Sequence, residues 1–378
     1  MKLISIEPTP SPNSMKLNVS ETLPMGESLN FTQANKEQAP PFLNALLSID
    51  GVKGIYRVAD FIALERNPKN VWEEILPKVR ELFGEGIIDQ GSTEKEGVKE
   101  EGYGEVRVFI QMFRDIPMQA KLEADGEEIR IGLPERFMNA VMTAQSASEN
   151  VIFDRRWVEQ SPRYGEVEEI EKDVAEELNA AYDEERLNFL VNKAVHGEDK
   201  EESQNSPFRK ASLKDLEESD WKLRYAALDR MDPTLEDLPI LEKALHDEKV
   251  AIRRLATVYL GMLEDPKVLP YLYEALHDRT VTVRRTAGDA LSDIGDPAAI
   301  GEMAKALKDP SKIVRWRAAM FLYEVGDESA LPALKEAQDD SEFEVALQVK
   351  MAIERIEGGE TAKGSVWKQM TETRQSKK

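Results

Sequence analysis

Apolar and polar positions alternate at period two in KLISIE, residues 2–7, and again in MKLNVS, residues 15–20. That alternation sends one set of side chains to each face of a pleated strand, so both segments are predicted as half-buried strands. ESLNFT is a weaker third candidate. PPFLNALLSI opens with prolines suited to a first helical turn and then carries Phe42, Leu43, Leu46 and Leu47 on one helical face. VKGIYRV and FIALER read as a hairpin joined by Ala59-Asp60. NPKNVWEEILPKVRELFG offers Asn70 as a helix N-cap, a stripe of Val71, Ile75, Val79 and Leu82, a kink at Pro77, and Gly84 as its stop. Residues 1–88 are therefore predicted as a small α+β domain.

A charged, glycine-bearing stretch, 89–104, reads as a linker. EVRVFIQMF then continues as a strand, and MQAKLEADGEEIRIGL reads as a hairpin turning at Asp125-Gly126. PERFMNAVMTAQSA is predicted helical, NVIFDRRWVE strand-like, and Val167–Val195 one acidic helix. Residues 105–195 thus form a second α+β domain, followed by a polar linker at 196–207.

The remainder repeats. Asp247, Asp278 and Asp309 stand 31 residues apart, and Asp340 continues the step. Arg253, Arg284 and Arg315 recur at the same interval, as do Ala256, Ala287 and Ala318, then Leu260, Leu291 and Leu322, and Asp265, Asp296 and Asp327. ESDWKLRYAAL is an imperfect earlier copy with Arg224 in the arginine column, and a last copy has Ala346 there. About five units fill 208–358, each with two short helical patterns split by a Gly-Asp-Pro or Glu-Asp-Pro turn, ahead of a tail at 359–378 containing Trp367. A fixed period of this length marks an α-solenoid, in which each unit buries its apolar face only against its neighbours. The departure at Ala346 suits a capping unit. The fold class is α+β N-terminal and middle domains followed by an all-α HEAT-like solenoid.

Charge and composition narrow the chemistry. The chain has 378 residues with 72 acidic against 50 basic side chains, a formal charge of −22, which repels phosphate backbones and anionic membrane surfaces. Across residues 211–357 there are 20 Lys plus Arg and 30 Asp plus Glu, a net of −10, opposite to what a nucleic-acid solenoid needs. Nucleic acid and membrane are not expected partners, and with no secretory signal pattern a cytoplasmic location is expected. The chain has no cysteine, so it has no thiolate for an iron–sulfur cluster, structural zinc or a thiol nucleophile. Its histidines are His196, His246 and His277. His246 and His277 share one repeat column whose next member is Lys308, which speaks for repeat geometry rather than a metal centre. No phosphate loop, nucleophile elbow or zinc-protease motif is present. No catalytic residue, metal or cofactor is expected.

The columns leave two readings. Arg253, Arg284 and Arg315 could pair with Asp247, Asp278 and Asp309 of adjacent turns in a structural ladder. Alternatively the arginines, with Arg254, Arg285 and Arg317, could face an acidic partner.

The opening EPTPSPNSMKL resembles the N-terminal domain of Nfu/NifU-type iron–sulfur scaffolds, matching at Glu7, Thr9, Pro10, Pro12, Asn13, Ser14 and Lys16. GVKGIYRVADFIALER and VWEEILPKVRELF extend that resemblance. In that family a Cys-x-x-Cys motif in a separate domain holds the cluster, and neither is present in this chain. The loop is thus read as a rigid connector, its turn satisfied by Asn13 and Ser14 side chains, with docking by Glu7 and Lys16 as the other role. The repeats are similar to the HEAT-like repeats of phycobilisome lyases, and the three-part architecture resembles the conserved virulence factor C family. The resemblance implies a cytosolic adaptor or scaffold that binds protein partners, with a regulatory role in expression of virulence or secreted factors. The alternative is an accessory of iron–sulfur metabolism that binds a cluster carrier or apo-target. Partner identity and oligomeric state stay open.

Overall fold

The computed structural model describes residues 1–9, 11–24, 27–84, 104–124, 127–146, 150, 153–196 and 210–359. It divides into two compact units, residues 1–103 with 303–378 and residues 104–302.

In the first unit, β1 (Leu3–Pro8), β2 (Ser14–Val19), β3 (Ser28–Thr32), α1 (Pro41–Leu47), β4 (Val52–Val58), β5 (Phe61–Arg66) and α2 (Trp72–Leu82) follow in order. The strands form an antiparallel sheet ordered β1-β2-β5-β4-β3. Alternation places Met15, Leu17 and Val19 of β2 and Ile62 and Leu64 of β5 in one core with Leu43, Leu46 and Leu47 of α1 and Trp72, Ile75 and Val79 of α2. Gly51, at φ +90°, leads into β4, and a Cβ there would stand 2.7 Å from Asn70 Cβ.

Several local expectations change. Asn70 does not cap α2: Val71 precedes the first helical residue without a side-chain cap, and the Asn70 carbonyl accepts from Arg66 instead. The helical assignment is continuous through Pro77. Its buried stripe is Trp72, Ile75, Leu76 and Val79, because the fully buried indole of Trp72 sets the phase, leaving Val71 and Leu82 only half-buried.

The second unit opens with β6 (Glu105–Phe113), β7 (Ile116–Ala124) and β8 (Glu127–Gly132), then α3 (Glu135–Gln145), β9 (Arg155–Glu159), β10 (Arg163–Tyr164), α4 (Val167–Ala181) and α5 (Glu184–His196). The sheet runs β10-β6-β7-β8, with β9 also paired to β6. Strands β7 and β8 pair antiparallel as expected, while their turn at Asp125-Gly126 lies outside the described residues. The single helix expected over Val167–Val195 is two. Tyr182 closes α4 at φ −112°, ψ 75°, and Asp183 Oδ1 accepts the Arg186 N–H at 2.8 Å to start α5. The break separates two packing surfaces. Ile170, Val174 and Leu178 of α4 pack with Val106, Val108 and Leu122, whereas Leu187 and Leu190 of α5 pack with Phe113, Phe137 and Val141.

The repeats supply α6 (Trp221–Asp229), α7 (Leu238–Leu245), α8 (Val250–Met262), α9 (Leu269–Ala275), α10 (Val281–Ile294) and α11 (Ile300–Ala306). They continue as α12 (Lys312–Val325), α13 (Leu331–Ala337) and α14 (Phe343–Glu357). Asp265, Asp296 and Asp327 each accept the backbone N–H two residues on, at 2.9, 2.8 and 2.9 Å, capping the 3₁₀ turn that opens the next short helix. Where α8 and α10 pack, a Cβ at Gly261 would lie 2.8 Å from Ala290 Cβ, so the small residues allow the close approach. The segments 89–103, 197–207 and 360–378, Trp367 included, lie outside the described residues.

Candidate protein interface

The aspartates that end the short helices perform two tasks. Oδ1 of Asp247, Asp278, Asp309 and Asp340 accepts the N–H of Lys249, Thr280, Ser311 and Glu342 at 2.8, 2.7, 2.8 and 2.9 Å. Three of the same carboxylates receive an arginine fork from the preceding repeat. Arg224 reaches Asp247 at 2.7 and 3.0 Å, Arg253 reaches Asp278 at 2.7 and 3.1 Å, and Arg315 reaches Asp340 at 2.7 and 3.0 Å. The remaining guanidinium nitrogen turns back to carbonyls of its own repeat: Arg253 to Asp247, Arg284 to Asp278 and Arg315 to Asp309, each at 2.9 Å. Burial pushes the Asp278 carboxyl up, but hydrogen bonds from Arg253 and Thr280 outweigh it and hold the group below the usual carboxylate range. Planar, bidentate, buried pairs of this kind need arginine rather than lysine.

The neighbouring row is engaged as well. Arg254 Nη2 donates to Glu177 Oε2 at 3.0 Å, and Arg163 grips the same carboxylate at 3.0 and 2.5 Å. Burial pushes Glu177 up, yet attraction to Arg254 and Arg163 and their hydrogen bonds bring it down to about 2. Arg285 lies 4.6 Å from the centre of the Tyr164 ring and pairs with Asp289, and Arg317 is buried within α12. Two further pairs cross between the middle domain and α6: Arg186 with Asp229 and Arg230 with Asp183, both at 2.6 Å.

The proline-rich loop has its own network. Glu7 and Lys16 face each other across β1 and β2 and pair at 3.0 Å. The turn is satisfied by Thr9, whose hydroxyl lies 3.1 and 3.0 Å from the Ser11 and Ser14 carbonyls, and by Ser11 Oγ, which accepts the Asn13 N–H. Asn13, expected with Ser14 to satisfy the turn, is buried and also reaches β5, its carbonyl accepting the Arg66 N–H at 2.9 Å and its Oδ1 accepting from Arg66 Nε at 3.3 Å. The Pro12 carbonyl accepts from the Trp72 indole at 2.8 Å; Pro10 lies outside the described residues. Arg66 completes the assembly: its Nη1 pairs with Glu344 Oε1 at 2.6 Å, with side chains 2% and 5% exposed. Glu344 belongs to α14, whose Phe343 and Leu347 pack on the core of the N-terminal sheet.

The residues missed by sequence reasoning left faint signals. Glu344 occupies the repeat column held elsewhere by Ala251, Thr282 and Ile313, an acid where small or apolar side chains stand. Glu177 hides in an acidic run but falls on the stripe of Ile170, Val174 and Ala181, the buried side of its helix. His246 Nε2 lies 2.8 Å from Glu274, and Lys308, in the same column, lies 2.6 Å from Glu336, so both reach an exposed glutamate 28 residues on.

Comparison with known proteins matches three family models along the chain. Residues 4–89 match the family described as Scaffold protein Nfu/NifU N terminal, 111–191 that described as Virulence factor, and 210–292 and 271–354 HEAT repeats. The chain is 62% identical to the protein YpgR of Bacillus subtilis (strain 168), over 99% of each. It is 51% identical to Conserved virulence factor C of Staphylococcus aureus (strain MRSA252), over 98% of this chain and 99% of that one. The protein of that name in Staphylococcus haemolyticus (strain JCSC1435) is 47% identical over the same shares. With near-complete coverage and all three parts matched in order, the chain belongs to the conserved virulence factor C family.

Proposed function

We propose that the protein is a non-enzymatic cytosolic adaptor that holds protein partners on its HEAT solenoid and so regulates expression of virulence or secreted factors. The observation that carries this reading is how the charges are used. Arg253 and Arg315 are closed in the ladder, and Arg254 and Arg285 are engaged by middle-domain residues. An acidic partner finds little to grip there. Within the second unit the short helices expose Glu242 and Glu274 in neighbouring repeats, on a segment of net negative charge. A basic segment of a partner protein suits that face, through charge complementarity that sets encounter rate and selectivity.

Crosslinking of the full-length chain in its native cell, beside the variant Glu242→Lys/Glu274→Lys, tests this. Wild type should yield a discrete attached protein that the variant loses. No attached protein overturns the adaptor, and an unchanged pattern in the variant overturns the acidic face.

The match of residues 4–89 to the Nfu/NifU N-terminal family supports a second reading, an accessory of iron–sulfur metabolism. A cysteine-free chain would contribute no thiolate and would act by recognising a cluster-loaded carrier. Titration with such a carrier should then give saturable binding, and its absence removes this reading.

A further inference from the structure

Within the second unit, a cavity of about 410 Å³ lies between the middle domain and the first repeats. This falls in the usual size range of small-molecule sites, roughly 300 to 1,000 Å³. Its apolar wall follows from strand register and helix period. Ile110 of β6 stands opposite Val158 of β9, and Leu255 and Val258, one helical turn apart on α8, continue the lining. Ile110, Val158 and Val258 are only half-buried, so the wall keeps apolar surface to offer.

The charges around the cavity are balanced. Arg163 and Arg254 are met by Glu177 and by Asp173, whose charge acts on Arg163. Arg186 pairs with Asp229 at 2.6 Å and Arg156 with Asp115 at 2.8 Å. A ligand of net charge would therefore sit unpaired in a partly desolvated site, which is costly.

The unused polar groups come from one helix face. Tyr225 and Asp229 stand one turn apart on α6, and both line the cavity. Tyr225 is 4% exposed, yet its hydroxyl makes no hydrogen bond among the described residues. Arg254 Nε is sealed inside the protein, whereas the Tyr225 oxygen is not and stays within reach of the cavity. Burial and the nearby carboxylates of Glu177 and Asp229 push the phenol well above its ordinary value, so it remains a donor at neutral pH. Asp229 gives Oδ2 to Arg186, and its Oδ1, also unsealed, makes no hydrogen bond among the described residues. One donor and one acceptor thus stand together beside an apolar wall.

We propose that this cavity binds a small neutral alcohol, its alkyl chain along Ile110, Val158 and Val258, its hydroxyl accepting from Tyr225 and donating to Asp229 Oδ1. A carboxylate would meet Asp229 with no proton to give. An amine would bring a charge that no carboxylate is left to match.

Octanol, octanoate and octylamine, titrated calorimetrically into the full-length chain, separate these cases. Octanol should bind with one-to-one stoichiometry, and the two charged probes at least tenfold more weakly. Tyr225→Phe removes an oxygen that no described residue uses, so circular dichroism should stay native while octanol affinity falls about fivefold, the usual effect of one lost hydrogen bond. Val258→Trp, which fills the apolar end, should abolish octanol binding. Val158→Phe repeats that test from the strand side if the tryptophan variant does not fold. Absence of octanol binding at millimolar concentration overturns the proposal. So does octanoate or octylamine binding as tightly as octanol, or undiminished octanol binding by folded Tyr225→Phe or by a folded, cavity-filled variant.

Discussion

The two α+β domains are tied to repeat helices by buried ion pairs of opposite polarity. In the first unit the domain supplies the arginine, Arg66, and the repeat helix supplies the carboxylate, Glu344. In the second the domain supplies the carboxylate, Glu177, and the repeat helix the arginine, Arg254. Polarity follows what each repeat retains. Arg254 belongs to a row the earlier repeats carry, whereas the last repeat lacks the ladder arginine and places Glu344 where Ala251, Thr282 and Ile313 stand elsewhere.

The two anchors also differ in balance, and that difference can be broken by mutation. Glu177→Gln should give the largest effect, because it strands two guanidinium groups in a buried site. A loss of about 3–5 kcal/mol is expected, read by urea denaturation with hydrogen exchange of α4 and α6 to localise it. Arg66→Met should cost somewhat less, about 3 kcal/mol, since it strands one buried carboxylate rather than two guanidinium groups. Equal losses in both units would show that the second arginine adds nothing.

Acid sharpens the same contrast. Glu177 titrates at about 2 in the folded chain against an ordinary value of 4.5, so its contribution is fully present above pH 4.5 and fades as pH falls toward 2. The shift corresponds to roughly 3 kcal/mol. Wild type and Glu177→Gln should therefore differ in stability at pH 6 and converge near pH 2. A constant gap across that window would mean that the carboxylate's charge is not the source of the anchor.

Within the repeats the effects should be smaller. Arg253→Lys keeps the charge but loses the fork onto Asp278, and about 1–3 kcal/mol should go with it. A double-mutant cycle with Asp278→Asn should return a positive coupling, and additivity would show that the fork is idle. Least of all, Asp265→Ala removes one cap and should cost about 1 kcal/mol, visible as a small fall in midpoint.

Much of this fold was legible. Period-two alternation located β1 and β2, and the hairpin reading of VKGIYRV and FIALER located β4 and β5. The 31-residue columns located the repeats, because each must present the same side chains to its neighbours. The misplaced elements have specific causes. Asn70 precedes a hydrophobic stripe, as an N-cap does, but a tryptophan at 72 shifted the buried phase. Val167–Val195 is helical in composition almost throughout, and the sheet interrupts it because α4 and α5 belong to different cores. Asn13 suits a turn by type, and its contact with Arg66, 53 residues away, had no local signal.

The sequence by itself determined the α+β segments, the solenoid and its Arg and Asp columns, since strand alternation, helical stripes and repeats are local or periodic facts about one chain. Only the tertiary structure decided that each arginine fork crosses to the next repeat, that Arg254 belongs to Glu177, and that Arg66 belongs to Glu344. A buried charge must find its counter-charge wherever the fold delivers one, and here it comes from 77 residues away in one case and 278 in the other.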